Sequence, residues 1–435
     1  MATRSIVAPL HGILGLLIIV AGCSRSDTPP SGDPASGDPN AVDPSPAAET
    51  ADTASTPPAP IEPQSYETNA DDLLAMRLDR SVAGDGWIRL FDGHTLFGWE
   101  IATAANFRIE NQSIVVDAGS PGLICTSMPW QDYELTLQYQ SDDNTNSGVF
   151  LRTSLQPQEP ATECYEINIA PSSDDYPTGG IVGRHEPDNA LESTSTDWHD
   201  MAISILGGQI TVAIDGQNIT TWTDENPLPA ARIGLQYNTG RIAFRDIRLR
   251  PLGMKSLIDE DLSQWQQYPK MDGEFRFEDD AIKVIGGRTQ LETRQSYGDF
   301  TLLSTYSLQD PDTNSGIFFR CIPSDEMMGY ECQINDAVVD TNRLQPADTG
   351  TGGIFRRQPA RIVPGDPGEQ NTVLLNVRGL QMAAWVSGIQ VSNWYDDRSQ
   401  DENPRRGSRT EPGTIMIQGH DPATRATYHQ FKIAP

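Results

Sequence analysis

Apolar and polar residues alternate without a break over residues 133–139 (YELTLQY). Tyr133, Leu135, Leu137 and Tyr139 fall on one side, and Glu134, Thr136 and Gln138 on the other. A period of two marks a strand with one face in a core and the other in water. Segments 149–152, 165–169, 201–206, 210–214, 233–237 and 242–249 are likewise short and rich in β-branched or aromatic residues. Gly207-Gly208 and Asp215-Gly216 read as hairpin turns between them. Segments 301–306, 316–320 and 374–377 continue the pattern. No long amphipathic helical stretch interrupts it. Many short strands with regular turns predict an all-β sandwich or jelly roll.

The pattern occurs twice. NSGVFLR at 146–152 returns as NSGIFFR at 314–320, YEINI at 165–169 as YECQI at 330–334, and TGGIVGR at 178–184 as TGGIFRR at 351–357. Gly207, Gly216 and Trp222 answer to Gly379, Gly388 and Trp394 with the same spacing. The landmarks share one order, so the chain reads as a tandem duplication. Each copy is long enough to be a domain, and the copies are placed at 86–252 and 255–435.

The N-terminus reads differently. Residues 12–20 are an uncharged apolar run behind Arg4, ending in Val20-Ala21-Gly22-Cys23. The run is too short for a membrane-spanning helix, which needs about 20 residues. A basic start, a short apolar run and small residues describe a secretory signal over 1–22. The cysteine resembles the lipobox of bacterial lipoproteins, which implies lipidation at Cys23, an exported protein and a membrane anchor. An ordinary signal peptide with a nearby cysteine is the alternative. Residues 23–68 are rich in Pro, Ser, Ala and Asp with almost no large apolar residue, the composition of a disordered spacer. Residues 69–85 begin with Asn69 as a cap and acids in the first turn, and predict one short helix.

Acidic residues outnumber basic ones by 60 to 31, for a net charge of −29. That argues against nucleic acid as a partner, because phosphate binding needs basic patches. Of the five cysteines, Cys125 and Cys164 lie in the first domain and have no cysteine counterparts in the second. The reverse holds for Cys321 and Cys332. Joint presence predicts two disulfides, Cys125–Cys164 and Cys321–Cys332, as suits an oxidising compartment; four free buried thiols are the alternative. Trp99, Trp198, Trp222, Trp265, Trp385 and Trp394 are expected mostly in the core.

At this point the ordered blocks resemble a known family. LFDGHTL at 90–96 with Gly98-Trp99, then DYELTLQY, NSGVFLR, YEINI, TGGIVGR and the run 198–216, are similar to the DUF1080 family, described as 3-keto-disaccharide hydrolases or 3-keto-glucoside lyase/hydratases. The resemblance implies two tandem concanavalin/laminin-G-like jelly rolls acting on a carbohydrate, a 3-keto-glycoside. The second copy has a worn opening (Leu257-Ile258-Asp259 through Trp265) but keeps Gln418-Gly419-His420-Asp421-Pro422 and places Asp336 just after YECQI. By polar inventory the second copy is the more complete site; two copies that share the work, or one that only binds, are the alternatives.

The implied chemistry needs a base and a donor. A ketone at C3 acidifies the proton at C2; its removal gives an enolate that expels the C1 substituent, and water then adds. Candidate bases are Glu331, Glu166 and His420, and candidate donors are Arg320 and Arg152. If Cys321 and Cys332 bond, they face each other, and strand parity then puts Arg320 and Glu331 together on the opposite face. A structural cross-strand ion pair is the plain alternative. Asp336, Gln333, Arg356 and Arg184 are candidates for holding the sugar. No cofactor is certain. A divalent metal is left open, with His420, Asp421, Asp336 and Glu331 as scattered N and O donors. His185 is a lone loop histidine, expected to be solvated. A non-catalytic carbohydrate- or surface-binding lipoprotein remains the second reading.

Overall fold

A computed structural model of the chain describes residues 69–189, 191, 196–269, 271–366 and 368–435. Cys23, the signal segment and the spacer lie outside the described residues. Two β-sandwiches follow one another, each with an eight-stranded and a five-stranded antiparallel sheet. The five-stranded sheet of the first domain runs in the order Trp99–Ile101, Gly122–Thr126, Arg232–Tyr237, Ser147–Thr153, Tyr165–Ile169. Its copy runs Trp265–Gln267, Thr289–Thr293, Thr414–Gly419, Ser315–Cys321, Tyr330–Ile334. The order is identical. The expected hairpin turns are present, with Gly207, Asp215 and Gly216 all at positive φ.

The opening motif has a structural role. Asp92 Oδ1 accepts the backbone N–H groups of His94 and Thr95, and the Thr95 hydroxyl donates to Oδ2. Trp99 Nε1 donates to Leu90 O at 2.7 Å, as Trp265 Nε1 does to Leu257 O at 2.6 Å. The worn second opening therefore keeps the tryptophan anchor and its partner.

The expected single helix is two. Ala70–Ala75 is capped by Asn69, whose side chain accepts from Asp71 N, and Arg80–Gly84 follows. The break has a cause. Leu78 N donates to Ser387 O, a bond to the second domain that a continuous helix would use internally. Leu73, fully buried, belongs to the core of the second domain.

Each NSG…R strand carries a β-bulge. Gly234 pairs with Phe150 while Arg232 pairs with Thr153, and Phe318 pairs with Met416 while Cys321 pairs with Thr414. One extra residue is accommodated in each strand, with Arg152 at φ +50° and Arg320 at φ +48°. The bulge reverses parity beyond it. Cys321 therefore joins Phe318, Met327 and Met416 on the outer side of the sheet, while Cys332 sits in the core between the sheets. The expected Cys321–Cys332 disulfide is absent. Cys332 lies opposite Ile317, four residues along the strand from Cys321, or about 13 Å at the usual rise. Cys125 and Cys164 are free as well, although both belong to one small cluster with Leu123 and Phe150. All four thiols are buried.

The two sandwiches are packed together asymmetrically. Leu303, Leu374, Ala383 and Trp385, on the outer face of the second domain's large sheet, belong to the hydrophobic cluster of the first domain. Trp385 meets Trp130 at 5.4 Å and donates to Arg89 O. Arg361 donates to Asp92 at 2.8 Å and to Thr95, with its guanidinium 4.3 Å from the Phe97 ring. By register, the same four positions in the first domain hold Thr136, Ala202, Thr211 and Ala213, none of them buried. This explains why 133–139 alternates and 300–306 does not: the second strand is covered on both faces.

Candidate functional site

The outer face of each five-stranded sheet presents one row of side chains around a glycine. In the second domain the row is Gln290, Gln418, Gly316 and Gln333, and the next is Glu292, Met416, Phe318 and Glu331. In the first domain the rows are Leu123, Gln236, Gly148, Asn168 and Cys125, Gly234, Phe150, Glu166. The glycine of NSG is dictated by its neighbours. A Cβ on Gly316 would stand 2.9 Å from Glu331 Oε1 and 3.4 Å from Gln418 Oε1; on Gly148 it would stand 3.4 Å from Glu166 Oε1. The serine beside it ties the strands, with Ser147 Oγ donating to Gln236 O and Ser315 Oγ to Gln418 O.

Glu331 is 6% exposed, and burial pushes its carboxyl up to about 7 against the opposing pull of Arg405. Arg405 Nη2 lies 3.5 Å from Glu331 Oε2 and donates to Met327 O, with its guanidinium 5.2 Å from the Phe318 ring. Glu166, 8% exposed, is likewise pushed up to about 7 by burial, and a hydrogen bond from Gln236 opposes the shift. Among the described residues no cation pairs with it. The carboxamide oxygens of Gln236, Asn168, Gln333 and Gln418 are all buried without a protein partner. Each is an acceptor held without a partner, at a cost of about 1–3 kcal/mol.

The motif arginines belong elsewhere. Arg320 donates to Gly298 O, Gly379 O and Arg409 O and pairs with Asp299 at 2.8 Å. Arg152 donates to Gln131 O and Leu228 O and pairs with Asp132 at 3.0 Å. Asp299 and Asp132 also accept from Gly379 N and Gly207 N. These arginines clamp the strand to a hairpin turn and do not share a face with Glu331 and Glu166. The bulge, invisible to a count of alternating positions, is the reason.

The other expected residues scatter. His420 is exposed and pairs with Asp421 at 2.9 Å. Asp336 is buried, held by the hydroxyls of Tyr306 and Thr351. These two do not converge with Glu331, and the suggested metal set is not assembled; among the described residues no group of three or more His, Cys, Asp or Glu could hold a metal ion. Gln333 lies in the row beside Glu331, with Nε2 donating to Asn314 and Asp348. Arg356 is exposed, 5.1 Å from the Phe355 ring. Arg184 lies over Tyr165 and beside Trp222, donating to Cys164 O. His185 pairs with Asp188 at 3.0 Å.

The residue that sequence reasoning missed is Arg405. It comes from residues 396–413, where the first domain has only 224–231. A length difference between repeats, arginine-rich in an acidic chain, was the available signal. Arg398 holds this loop in shape through Asp396, Pro404 O and Gly407 O. Two cavities lie away from both carboxylates. One is small and lined by Tyr139, Thr178 and His199; the other, about 380 Å³, is lined by Ile258, Phe277 and His429. Neither gathers a buried carboxylate with a guanidinium, so we place the site by its chemistry.

The family's sequence model, for the 3-keto-alpha-glucoside-1,2-lyase-like domain, matches residues 86–250 and again 253–434. The chain belongs to that family. It is accordingly a carbohydrate-active protein built from two tandem family domains. A search among curated proteins finds no match. Among solved structures, a protein provisionally called a glycosyl hydrolase from Parabacteroides distasonis ATCC 8503 is 14% identical, covers 41% of this chain and 99% of its own, and has a TM-score of 0.36. A second of that description from the same organism is 22% identical over 38% of this chain and 84% of its own, with a TM-score of 0.31. The carbohydrate-binding module CBM66 from Bacillus subtilis is 13% identical over 40% and 96%, with a TM-score of 0.29.

Proposed function

We propose that the second domain cleaves 3-keto-glycosides by elimination and hydration. Glu331 takes the proton from C2. The electron pair passes into the C3 carbonyl, and the enolate oxygen meets the guanidinium of Arg405. The enolate then re-forms the C3 carbonyl, C1=C2 forms as the C1–O bond breaks, and the aglycone leaves as an alcohol with the proton that Glu331 returns. Water then adds across C1=C2, its hydroxyl to C1 and its proton to C2, for net hydrolysis. Gln333 and Gln418 accept hydroxyl hydrogen bonds and hold the ring.

The observation that carries this reading is the pairing of Glu331 with Arg405. A carboxyl pushed up to about 7 is half ionised near neutrality, so it can both accept and return a proton. A fixed guanidinium beside it stabilises charge where charge develops. The first domain has the carboxylate and the amides but, among its described residues, no such cation, and we read it as an accessory sugar-binding domain. Incubation of the full chain with a 3-keto-glucoside, following release of the aglycone and loss of the C2 proton by NMR, tests the reading. No release by the wild type hands the function to the binding-protein reading.

We also propose that the protein is exported and anchored through lipid on Cys23. Cys23→Ala should move it from the membrane fraction to the soluble fraction; unchanged partitioning would count against an anchor.

A further inference from the structure

The turn after the second TGG motif contains a residue in an unfavourable conformation. Gly183 in the first domain has φ +70°, and the residue at the same place in the second is Arg356, at φ +59°. Both turns close in the same way, Ile181 bridging His185 and Ile354 bridging Gln358. Glycine meets this backbone without strain, whereas an arginine there costs about 1–2 kcal/mol. The fold has no need of the side chain, since the first domain makes the same turn without one. Arg356 makes no ion pair among the described residues, though its charge acts on Glu331, and its guanidinium is exposed against Phe355. Strain held at a position with no structural return points to function.

The surroundings say which function. Arg405 reaches the same Phe355 ring, at 5.9 Å. Phe355 N donates to Glu331 O, so the turn with Arg356 lies beside the Glu331 end of the strand, where Arg405 arrives from the 396–413 loop. Of the other acids on this face, Glu292 accepts from Thr414 Oγ1 and Ser324 N, and Asp348 accepts from Gln333 Nε2. Arg405 and Arg356 both act on the Glu331 carboxyl as cations, against the opposing charge of Asp348. Two guanidiniums converging on one aromatic ring suit a planar or tetrahedral anion, which they can bind through forked hydrogen bonds.

We propose that Arg356, with Arg405, recognises an anionic group on the saccharide, so that this site takes acidic sugars such as uronic acids. The inference rests on the second-domain site proposed above and adds its substrate class. It also gives a reason for an arginine patch in a chain of net charge −29.

The test is titration calorimetry of the full chain with cellobiouronic acid and with cellobiose, whose members differ in a carboxylate. The acid should bind the wild type roughly tenfold more tightly, the worth of one charge-assisted contact, and the margin should shrink with added salt. Arg356→Gly restores the residue of the first domain and relieves the turn, so it should fold at least as well. It should lose the preference and keep the affinity for cellobiose, and Arg356→Lys should recover part of the preference. Equal affinity for the two sugars, no binding of either, or an equal loss of both in Arg356→Gly overturns the inference. Turnover of 3-keto substrates is scored separately. Selective binding without turnover sinks the elimination mechanism and leaves the inference standing; turnover without selectivity does the opposite.

Discussion

Arg405 Nη2 stands 3.5 Å from Glu331 Oε2, a contact between a loop lengthened in the second repeat and a strand common to both. Glu331→Gln keeps the shape and removes the base. Steady-state turnover of a 3-keto-glucoside should fall by about 10²–10⁴. Glu166→Gln should leave turnover unchanged. The reverse result would move catalysis to the first domain. Arg405→Ala should lower kcat by about 10²–10³ if it faces the enolate, and an effect on KM alone would make it a binding residue only.

The same carboxyl sets two pH dependences. Its folded pKa, about 7, lies above the ordinary value of 4.5, with burial the main cause. Turnover needs the ionised form, so it should rise with pH through about 7 and fall on the acid side. Stability runs the other way. A raised carboxyl stabilises the fold fully below 4.5 and loses that contribution as pH climbs through 7. Glu331→Gln should therefore raise the unfolding free energy at pH 8 by on the order of 3 kcal/mol, seen as a higher Tm, and change little at pH 4. A Tm unmoved at pH 8 would mean the carboxyl is not raised.

The motif arginines should behave as structure. Arg152→Ala and Arg320→Ala each leave several carbonyls and an aspartate without their donor. Removing one partner of a buried pair costs about 3–5 kcal/mol. Urea unfolding should show losses of that size, while the protein that remains folded keeps its KM. Lysine, a point charge without the fork, should not rescue either site.

Trp385→Ala should detach the two sandwiches. Truncating a buried tryptophan costs about 3–5 kcal/mol, and this one serves the interface between domains. Limited proteolysis across 251–255 should accelerate in the variant. An unchanged cleavage rate would argue that the contact is dispensable.

The four domain thiols should stay silent in the native state. Burial pushes those of Cys125, Cys164 and Cys332 up to about 12, and that of Cys321 well above its ordinary value. Few exist as thiolate, the reactive form. A thiol reagent should find these four only after denaturation. Detection of a disulfide between either pair by mass spectrometry of the unreduced protein would reverse this.

The sheets were readable because strand alternation and hairpin turns are local signals. The pairing of Glu331 with Gln333 on one face followed from the same period. What failed was parity across residues 318–321, since a bulge is chosen by the pairing partner and leaves the period of the sequence intact. That one residue sent Arg320 to a turn and Cys321 to the outer face, and so ended both the expected disulfide and the expected donor. Arg405 is 74 residues from Glu331 in the chain, and no local pattern relates them. Asp336 looked functional because it was polar where the first repeat has Ala170-Pro171; it fills an interior place between Tyr306 and Thr351 instead.

The four core-like positions on the second domain's large sheet have a consequence for assembly. One domain's opening docks on the next domain's sheet, which is a head-to-tail contact between similar modules. Such a contact, if every module offered both halves, would propagate into a fibre. Here propagation stops at both ends. The first domain shows Thr136, Ala202, Thr211 and Ala213 where a docking sheet would need bulk, and the second carries Glu260 and Asp261 in the opening that would have to dock. Divergence after duplication has thus left a matched donor and acceptor that fit each other once, capping the array at two.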